Sequence, residues 1–188
     1  MINVWRSIRV TIVFAVLLGL IYPLCVSLIG NLLFPYQAQG SMVKQNGTIV
    51  GSELIAQAVT RPEYFHPRPS AIDYAGNGSA GSNLGPTNPA LIKEIGKNLS
   101  QVKSWTGYTA QSIPPDMVES SASGLDPDIS VQDARLQIPR IASATGLSRT
   151  YLQTLVSQYT ENRFLGIWGD PAVNVLKLNL AIKNKLGL

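Results

Sequence analysis

One cysteine and one histidine in 188 residues exclude several chemistries at once. Cys25 has no partner for an intramolecular disulfide, and with His66 it falls short of the three or four nitrogen or sulfur ligands of a typical zinc site. Disulfide scaffolds and His/Cys metal centres are thereby excluded. Charge is scarce as well, at 14% of the chain, with 15 basic residues against 11 acidic ones. Arg6 and Arg9 stand at the N-terminus, and the 13 remaining basic residues against 11 acids leave only +2 from Lys44 onward. Nucleic-acid binding needs Lys and Arg clustered on one face, and this field is too weak and too scattered for it. The phosphate-cradling pattern G-x-x-x-x-G-K-[ST] is also missing. The length allows one globular domain and an accessory segment.

What the chain has in excess is apolar sequence in one place. No charge occurs among the 34 positions from Val10 to Val43. Twenty of them, Val10 to Ile29, would rise about 30 Å as a helix, the thickness of a bilayer's hydrocarbon core. A transmembrane helix is expected over residues 10–33, with Trp5 and Tyr36 at the headgroup levels and a kink tolerated at Pro23. Arg6, Arg9 and the terminal amine precede the run, so the positive-inside rule places residues 1–9 in the cytoplasm and a domain of residues 40–188 outside it. A cleaved signal peptide would have an apolar core of about 7–15 residues, and this run is longer. Cys25 lies too deep in the run, behind Leu24, to be a lipoprotein cysteine. The reading is a signal-anchored, single-pass protein. Three N-x-S/T triplets, at Asn46, Asn77 and Asn98, are read as coincidence in a chain rich in Asn, Ser and Thr.

Beyond the run, Asn46-Gly47 suits a two-residue type I′ turn between Met42-Val43 and Thr48-Ile49-Val50, since both positions accept positive φ. Residues 61–89 hold five prolines and the glycines 76, 78, 81 and 85, so regular structure should stop there. Tyr64, Phe65, Ile72, Tyr74 and Leu84 indicate that this long loop packs on something. A helix should open with Asn88 as N-cap and Pro89 as its first residue and stop near Gly107. A second should be capped by Ser130, with Asp133 complementing its positive end, a kink at Pro139 and a stop at Gly146. A third should start at Ser148. Near the C-terminus a short strand, Val173 to Val175, should lead into a last helix. Helices with a few short strands make the class α+β.

Catalytic patterns fail on context. Gly76-Asn77-Gly78-Ser79-Ala80-Gly81 matches G-x-G-x-x-G, yet proline-rich sequence precedes it, Gly85-Pro86 follows, and Gln101 stands where a ribose-binding acid belongs. A Ser-His-Asp hydrolase would need His66 as base with Ser70, Ser79, Ser82 or Ser123 as nucleophile, and no nucleophile elbow exists. His66, between Phe65 and Pro67, reads as a partly buried loop residue. Asp126-Pro127-Asp128 reads as a turn ahead of a helix, not as a carboxylate pair or cation site.

The glycine- and proline-rich stretches carry a resemblance. Gly51-Ser52-Glu53-Leu54-Ile55-Ala56-Gln57, Tyr64 to Ala71, and Gly81-Ser82-Asn83-Leu84-Gly85-Pro86-Thr87-Asn88-Pro89 closely resemble the C subunit (KdpC) of Kdp-type potassium-transporting P-type ATPases. So do Ser123 to Pro127 with Ile129-Ser130, and Asn174-Val175-Leu176 with Leu178-Asn179-Leu180. The resemblance covers nearly the whole chain, the N-terminal span included. The chain departs from the family's pattern at Glu119 to Gly124 and at Asp128, where a histidine is common.

The resemblance implies a non-catalytic accessory subunit of a high-affinity potassium-uptake complex in a bacterial inner membrane. Its partners would be a potassium-channel-like subunit, a P-type ATPase subunit and a small single-span subunit. It implies support of assembly and a catalytic-chaperone role that raises the ATP affinity of the pump subunit. No intrinsic cofactor is expected, with ATP and K+ handled by the partners. Because ATP is cytoplasmic and only about the first nine residues are, coupling through the membrane is easier to accept than direct nucleotide contact. The competing reading is a membrane-anchored extracytoplasmic binding protein or hydrolase that uses the Tyr64 to Pro89 loop. No catalytic or metal-binding residue is assigned. Candidate partner-binding residues are Arg68, Ser82, Asn83, Gly85, Thr87 and Asn88, whose loop is either a self-capped turn opening the Asn88 helix or a docking surface for the channel-like subunit.

Overall fold

The computed structural model describes residues 2–187, which divide into two compact units after Val50. In the first, α1 (Ile2–Val16), a π-helical turn (Leu17–Ile21) and α2 (Tyr22–Leu33) form one continuous apolar helix of 32 residues. At 1.5 Å per residue it is about 48 Å long, and none of its residues is buried. It is the one helix among the described residues long and apolar enough to cross a membrane, and it contains the expected span. The π turn has a local cause. Pro23 brings no N–H, and its ring crowds the carbonyl four residues back, at Gly19. The helix widens ahead of it, so that the Tyr22 N–H reaches the Leu17 carbonyl, five residues away.

A short α3 (Pro35–Ala38) follows, then a hairpin of β1 (Met42–Gln45) and β2 (Thr48–Ser52). Its turn residues have φ of +50° at Asn46 and +81° at Gly47, the backbone required by the expected type I′ turn.

The second unit is α+β. Residues 53–88 contain no helix or strand, as the proline and glycine content implies. After them come α4 (Pro89–Thr106), two 3₁₀ turns (Ala110–Ser112 and Pro115–Met117), β3 (Asp128–Ser130), α5 (Val131–Thr145), α6 (Arg149–Gln158), β4 (Thr160–Glu161), β5 (Ala172–Asn174) and α7 (Val175–Leu186). β5 is the centre of a three-stranded antiparallel sheet in the order β3-β5-β4, pairing Ile129 with Val173 and Thr160 with Val173. Ile138, Ile141, Leu152, Val156, Leu178 and Ile182 of the last three helices close over Ile129 and Val173 of the sheet, and Phe65 from the long loop fills the same core. A smaller cluster of Val102, Ile113, Met117 and Val118 seats α4, with Ile95 and Leu99 packed against it.

The helix ends follow their capping residues. Asn88, Ser130 and Ser148 accept from the first-turn amides of Ala90, Asp133 and Tyr151, and left-handed glycines at 107, 146 and 187 terminate α4, α5 and α7. Two expectations need correction. β5 ends at Asn174, one residue short of the expected Val175, because the Asn174 side chain accepts from the Lys177 N–H and starts α7 at Val175. Asp133 does not offer a charge to the N-terminus of α5. It is buried, and desolvation pushes its carboxyl up to about 8, so the group is mostly neutral at pH 7. Pro139 lies inside α5 without ending it.

Candidate functional site

The irregular segment 61–89 is held in place by a second irregular segment, 119–127. The Ser121 N–H donates to the Pro69 carbonyl at 3.1 Å, the Ala80 N–H to the Ser123 carbonyl at 3.0 Å, and the Ser70 hydroxyl to the Gly124 carbonyl at 2.6 Å. The same Ser70 oxygen accepts from the amides of Ile72 and Tyr74, closing a compact turn. Two glycines permit the close approach. Gly124 has φ of +67°, and a Cβ there would lie 2.7 Å from the Ala80 carbonyl oxygen and 2.6 Å from Ile72. A Cβ at Gly81 would lie 2.9 Å from the Ala122 carbonyl oxygen. Only hydrogen at these two positions lets backbone meet backbone.

At Phe65 and His66 the loop enters the core, and two side-chain amides take the place of a neighbouring strand. Asn179 of α7 accepts from the Phe65 N–H at 2.7 Å and donates to its carbonyl at 2.9 Å. Gln137 of α5 accepts from the His66 N–H at 2.8 Å and donates to its carbonyl at 3.0 Å. Gln137 also donates to Asp133 at 2.8 Å and accepts from Arg140 at 2.6 Å, which uses all four of its hydrogen-bonding positions. Arg140 continues to the Tyr64 carbonyl at 3.0 Å, and its guanidinium lies 4.8 Å from the centre of the Trp105 ring. Burial, together with the positive charge of Arg140, pushes the His66 imidazole down to about 4, and its Nε2 donates to the Arg61 carbonyl at 3.1 Å. No serine hydroxyl is among its hydrogen-bond partners in the described residues. Burial also lowers Arg140, to about 10, which leaves it charged at neutral pH.

Beside this network lies a cleft of about 210 Å³, bounded by His66, Tyr74, Asn98, Trp105, Met117 and Asp133 among others. Its walls combine the amides of Asn98, Gln101 and Gln137, aromatic rings and the Asp133 carboxyl with apolar Val59, Val102 and Met117. Among the described residues no cluster of His, Cys, Asp or Glu could hold a metal ion.

The six residues singled out from the sequence fall into two groups. Gly85 and Asn88 belong to the turn that opens α4: the Asn88 N–H donates to the Gly85 carbonyl at 2.9 Å, and the Asn88 side chain accepts from the Ala90 N–H at 2.9 Å. Asn83 and Thr87 are exposed and Ser82 half-buried, and Asn83 has φ of +54°. Arg68 is committed elsewhere, to an ion pair with Asp126 at 3.1 Å. The 119–127 segment touches Arg68 through Asp126 and, through Ala122, Gly81 just ahead of Ser82. Asp126 accepts from the Asp128 N–H, as its expected turn role requires. Asp128 belongs to β3 and bonds Asn174 at 3.0 Å instead of pairing with Asp126 across a cation site.

Asn174 is a hub that spacing alone does not reveal. It caps α7, bonds Asp128 and donates to the Glu53 carbonyl at 2.9 Å, tying the start of the unit to its C-terminal part. Lys177, one turn on, bridges Glu53 at 3.2 Å and Glu161 at 3.1 Å. Gln137 and Arg140 are likewise silent in the sequence, since a buried Gln on an amphipathic helix looks like any surface residue.

Known proteins match this chain along nearly its full length. The family model for KdpC, the c chain of K+-transporting ATPase, matches residues 4–184. A potassium-transporting ATPase KdpC subunit of Caldanaerobacter subterraneus subsp. tengcongensis is 48% identical over 96% of this chain and 94% of its own. The corresponding subunits of Geobacter sulfurreducens and Rhodopseudomonas palustris are 47% and 44% identical, each over 94% of both chains.

Proposed function

The chain belongs to the KdpC family of K+-transporting ATPase c chains, and from that premise we propose that it is a non-catalytic accessory subunit of a high-affinity, ATP-driven potassium-uptake complex. In this reading α1 and α2 anchor it in the bacterial inner membrane with Arg6 and Arg9 on the cytoplasmic side, and the unit from Gly51 onward lies outside the cytoplasm. Its partners are a potassium-channel-like subunit, a P-type ATPase subunit and a small single-span subunit. The observation that carries the reading is the match of residues 4–184, which takes in the apolar helix and the folded unit together.

The remaining polar groups favour a scaffold over a catalyst. Gln137 and Arg140 spend their hydrogen bonds on holding the 61–89 loop to α5, while Asp133 braces Gln137 within the helix and the His66 ring bonds Arg61 within the loop. The side chains of Ser82, Asn83 and Thr87 make no hydrogen bond among the described residues, so their capacity is free for a partner, and they form the docking surface of this proposal together with the turn at Gly85 and Asn88. Arg68 pairs with Asp126 of the 119–127 segment, whose Ala122 packs against Gly81. The subunit promotes assembly and raises the ATP affinity of the pump subunit by coupling through the membrane, without touching nucleotide.

The test is purification of the complex from native membranes with and without this chain. With it, larger membrane proteins co-purify, and ATP hydrolysis has a lower KM for ATP than the preparation lacking it; the chain alone hydrolyses nothing. Recovery of the chain without membrane partners, or an unchanged KM, overturns the corresponding part of the reading.

A further inference from the structure

We propose that the hairpin tip Arg163 to Asp170 is a second membrane contact, a preformed apolar finger that enters the headgroup region of the bilayer in which the chain is anchored. The tip joins β4 to β5, so it is rooted in the central sheet. Phe164, Leu165, Ile167 and Trp168 are exposed by 70%, 72%, 67% and 59%. The other large apolar side chains exposed on this unit, Leu54, Ile55 and Ile92, lie outside this cluster. Four such residues on one short tip form a patch of the kind that marks an interaction site.

Three features favour a lipid surface. The tip closes on itself: Phe164 and Trp168 exchange backbone hydrogen bonds of 2.8 and 3.1 Å, and Gly166 and Ile167 donate to the Arg163 and Phe164 carbonyls. These internal bonds lower the cost of leaving water, which is what an apolar phase demands of backbone. No charge occurs from Phe164 to Gly169, while Arg163 and Asp170 pair at 2.8 Å across the neck, so the apolar part can sink until charge meets the headgroups. Trp and Phe beside Leu and Ile are also the residue types that settle at the membrane interface. The apolar helix is joined to this unit by the 17 residues between Leu33 and Gly51, which span at most roughly 60 Å. Leu165 holds φ of +51° and Gly166 +75°, so the tip is shaped before any lipid is met.

The inference rests on the apolar helix lying in a membrane and not on the chain's subunit role, so the test uses the full chain without partners. Cys25→Ser removes the native thiol, and Ile167→Cys carries an environment-sensitive fluorophore after reconstitution into phosphatidylethanolamine/phosphatidylglycerol vesicles. Asn83→Cys serves as the exposed control. Blue-shifted emission at 167, quenched more by shallow than by deep spin-labelled lipids and lost with Phe164→Ser/Trp168→Ser, is the expected result. Water-like emission equal to that at 83 overturns the proposal. So does a label in the purified native complex that is shielded from iodide yet untouched by the lipid quenchers, since the occupant would then be a protein groove.

Discussion

Asn179 of α7 grips the backbone of Phe65 from both sides, accepting from its N–H at 2.7 Å and donating to its carbonyl at 2.9 Å across 114 residues of sequence. Gln137 does the same for the next residue, His66, from α5. A loop that carries a fully buried phenylalanine into the core must leave its peptide groups paired. Here two amide side chains supply the partners that a sheet would have supplied, and the irregular 61–89 segment becomes part of the fold.

Asn179→Ala removes both partners at once. An unpaired buried peptide group costs about 1–3 kcal/mol, so the full chain in detergent should melt at a clearly lower temperature than wild type, whereas Asn77→Ala, at an exposed loop position, should leave the midpoint where it was. Asn179→Asp keeps an acceptor for the Phe65 N–H but sets a carboxylate against its carbonyl, and should be no better than Ala. Thermal unfolding followed by near-UV circular dichroism measures all three. Equal melting of wild type and Asn179→Ala would show that the clamp contributes nothing.

The contrast between what the sequence revealed and what it hid follows from range. The Asn46-Gly47 turn and the caps at Asn88, Ser130 and Ser148 are set by neighbours within four residues, and each lies where those neighbours place it. β3 and β4, three and two residues long, are too short for alternation to show and exist because β5 passes between them. Gln137, Asn174 and Asn179 act over 46 to 121 residues, a reach no local pattern encodes. The neutral state of Asp133 is hidden for the same reason: its spacing from Ser130 is that of a capping acid, and only tertiary packing removes its water.

Gly124 offers a sharper test of the segment packing. Its left-handed φ costs a residue with a side chain about 1–2 kcal/mol, and the Cβ would also meet Ile72 and the Ala80 carbonyl within 2.7 Å. Gly124→Ala should therefore destabilise by more than the conformational term alone, through a forced shift of the 70–81 turn. Gly78→Ala, with φ outside the left-handed range and no atom within 4 Å of its would-be Cβ, should be almost neutral. Similar melting temperatures for the two variants would mean that the segments are not packed as described.

The span is tested by charge. Gly19→Arg places a guanidinium in the π turn near the middle of the apolar helix, where insertion scales assign about 2.5–3.5 kcal/mol to a charged residue. Membrane-integrated protein should fall relative to wild type after carbonate extraction, and Gly19→Ala should not reproduce the loss, since a Cβ there meets nothing within 4 Å. Full integration of the arginine variant would argue against a membrane span.

The last prediction is a pH profile with an unusual shape. Asp133, raised to about 8 by burial, keeps a proton in the folded state that the unfolded chain gives up near its ordinary value of 3.8, so its contribution to stability falls as pH rises through that window. His66, lowered to about 4 from 6.5, behaves in the opposite sense: the unfolded chain binds the proton that the folded state refuses, so stability falls as pH drops from 6.5 toward 4. Between about 4 and 6.5 the two slopes oppose each other. Of the two, only Asp133 acts above 6.5, and its share of the stability should decline toward pH 8 at up to about 1.4 kcal/mol per pH unit. Asp133→Asn keeps the oxygen that accepts from Gln137 but carries no proton to lose. It should remove the decline above 6.5 and uncover the histidine's rise between 4 and 6.5. Melting temperatures of the full chain measured from pH 4 to 9 would decide the matter; identical profiles for wild type and Asp133→Asn would mean that the carboxyl is already ionised in the folded protein.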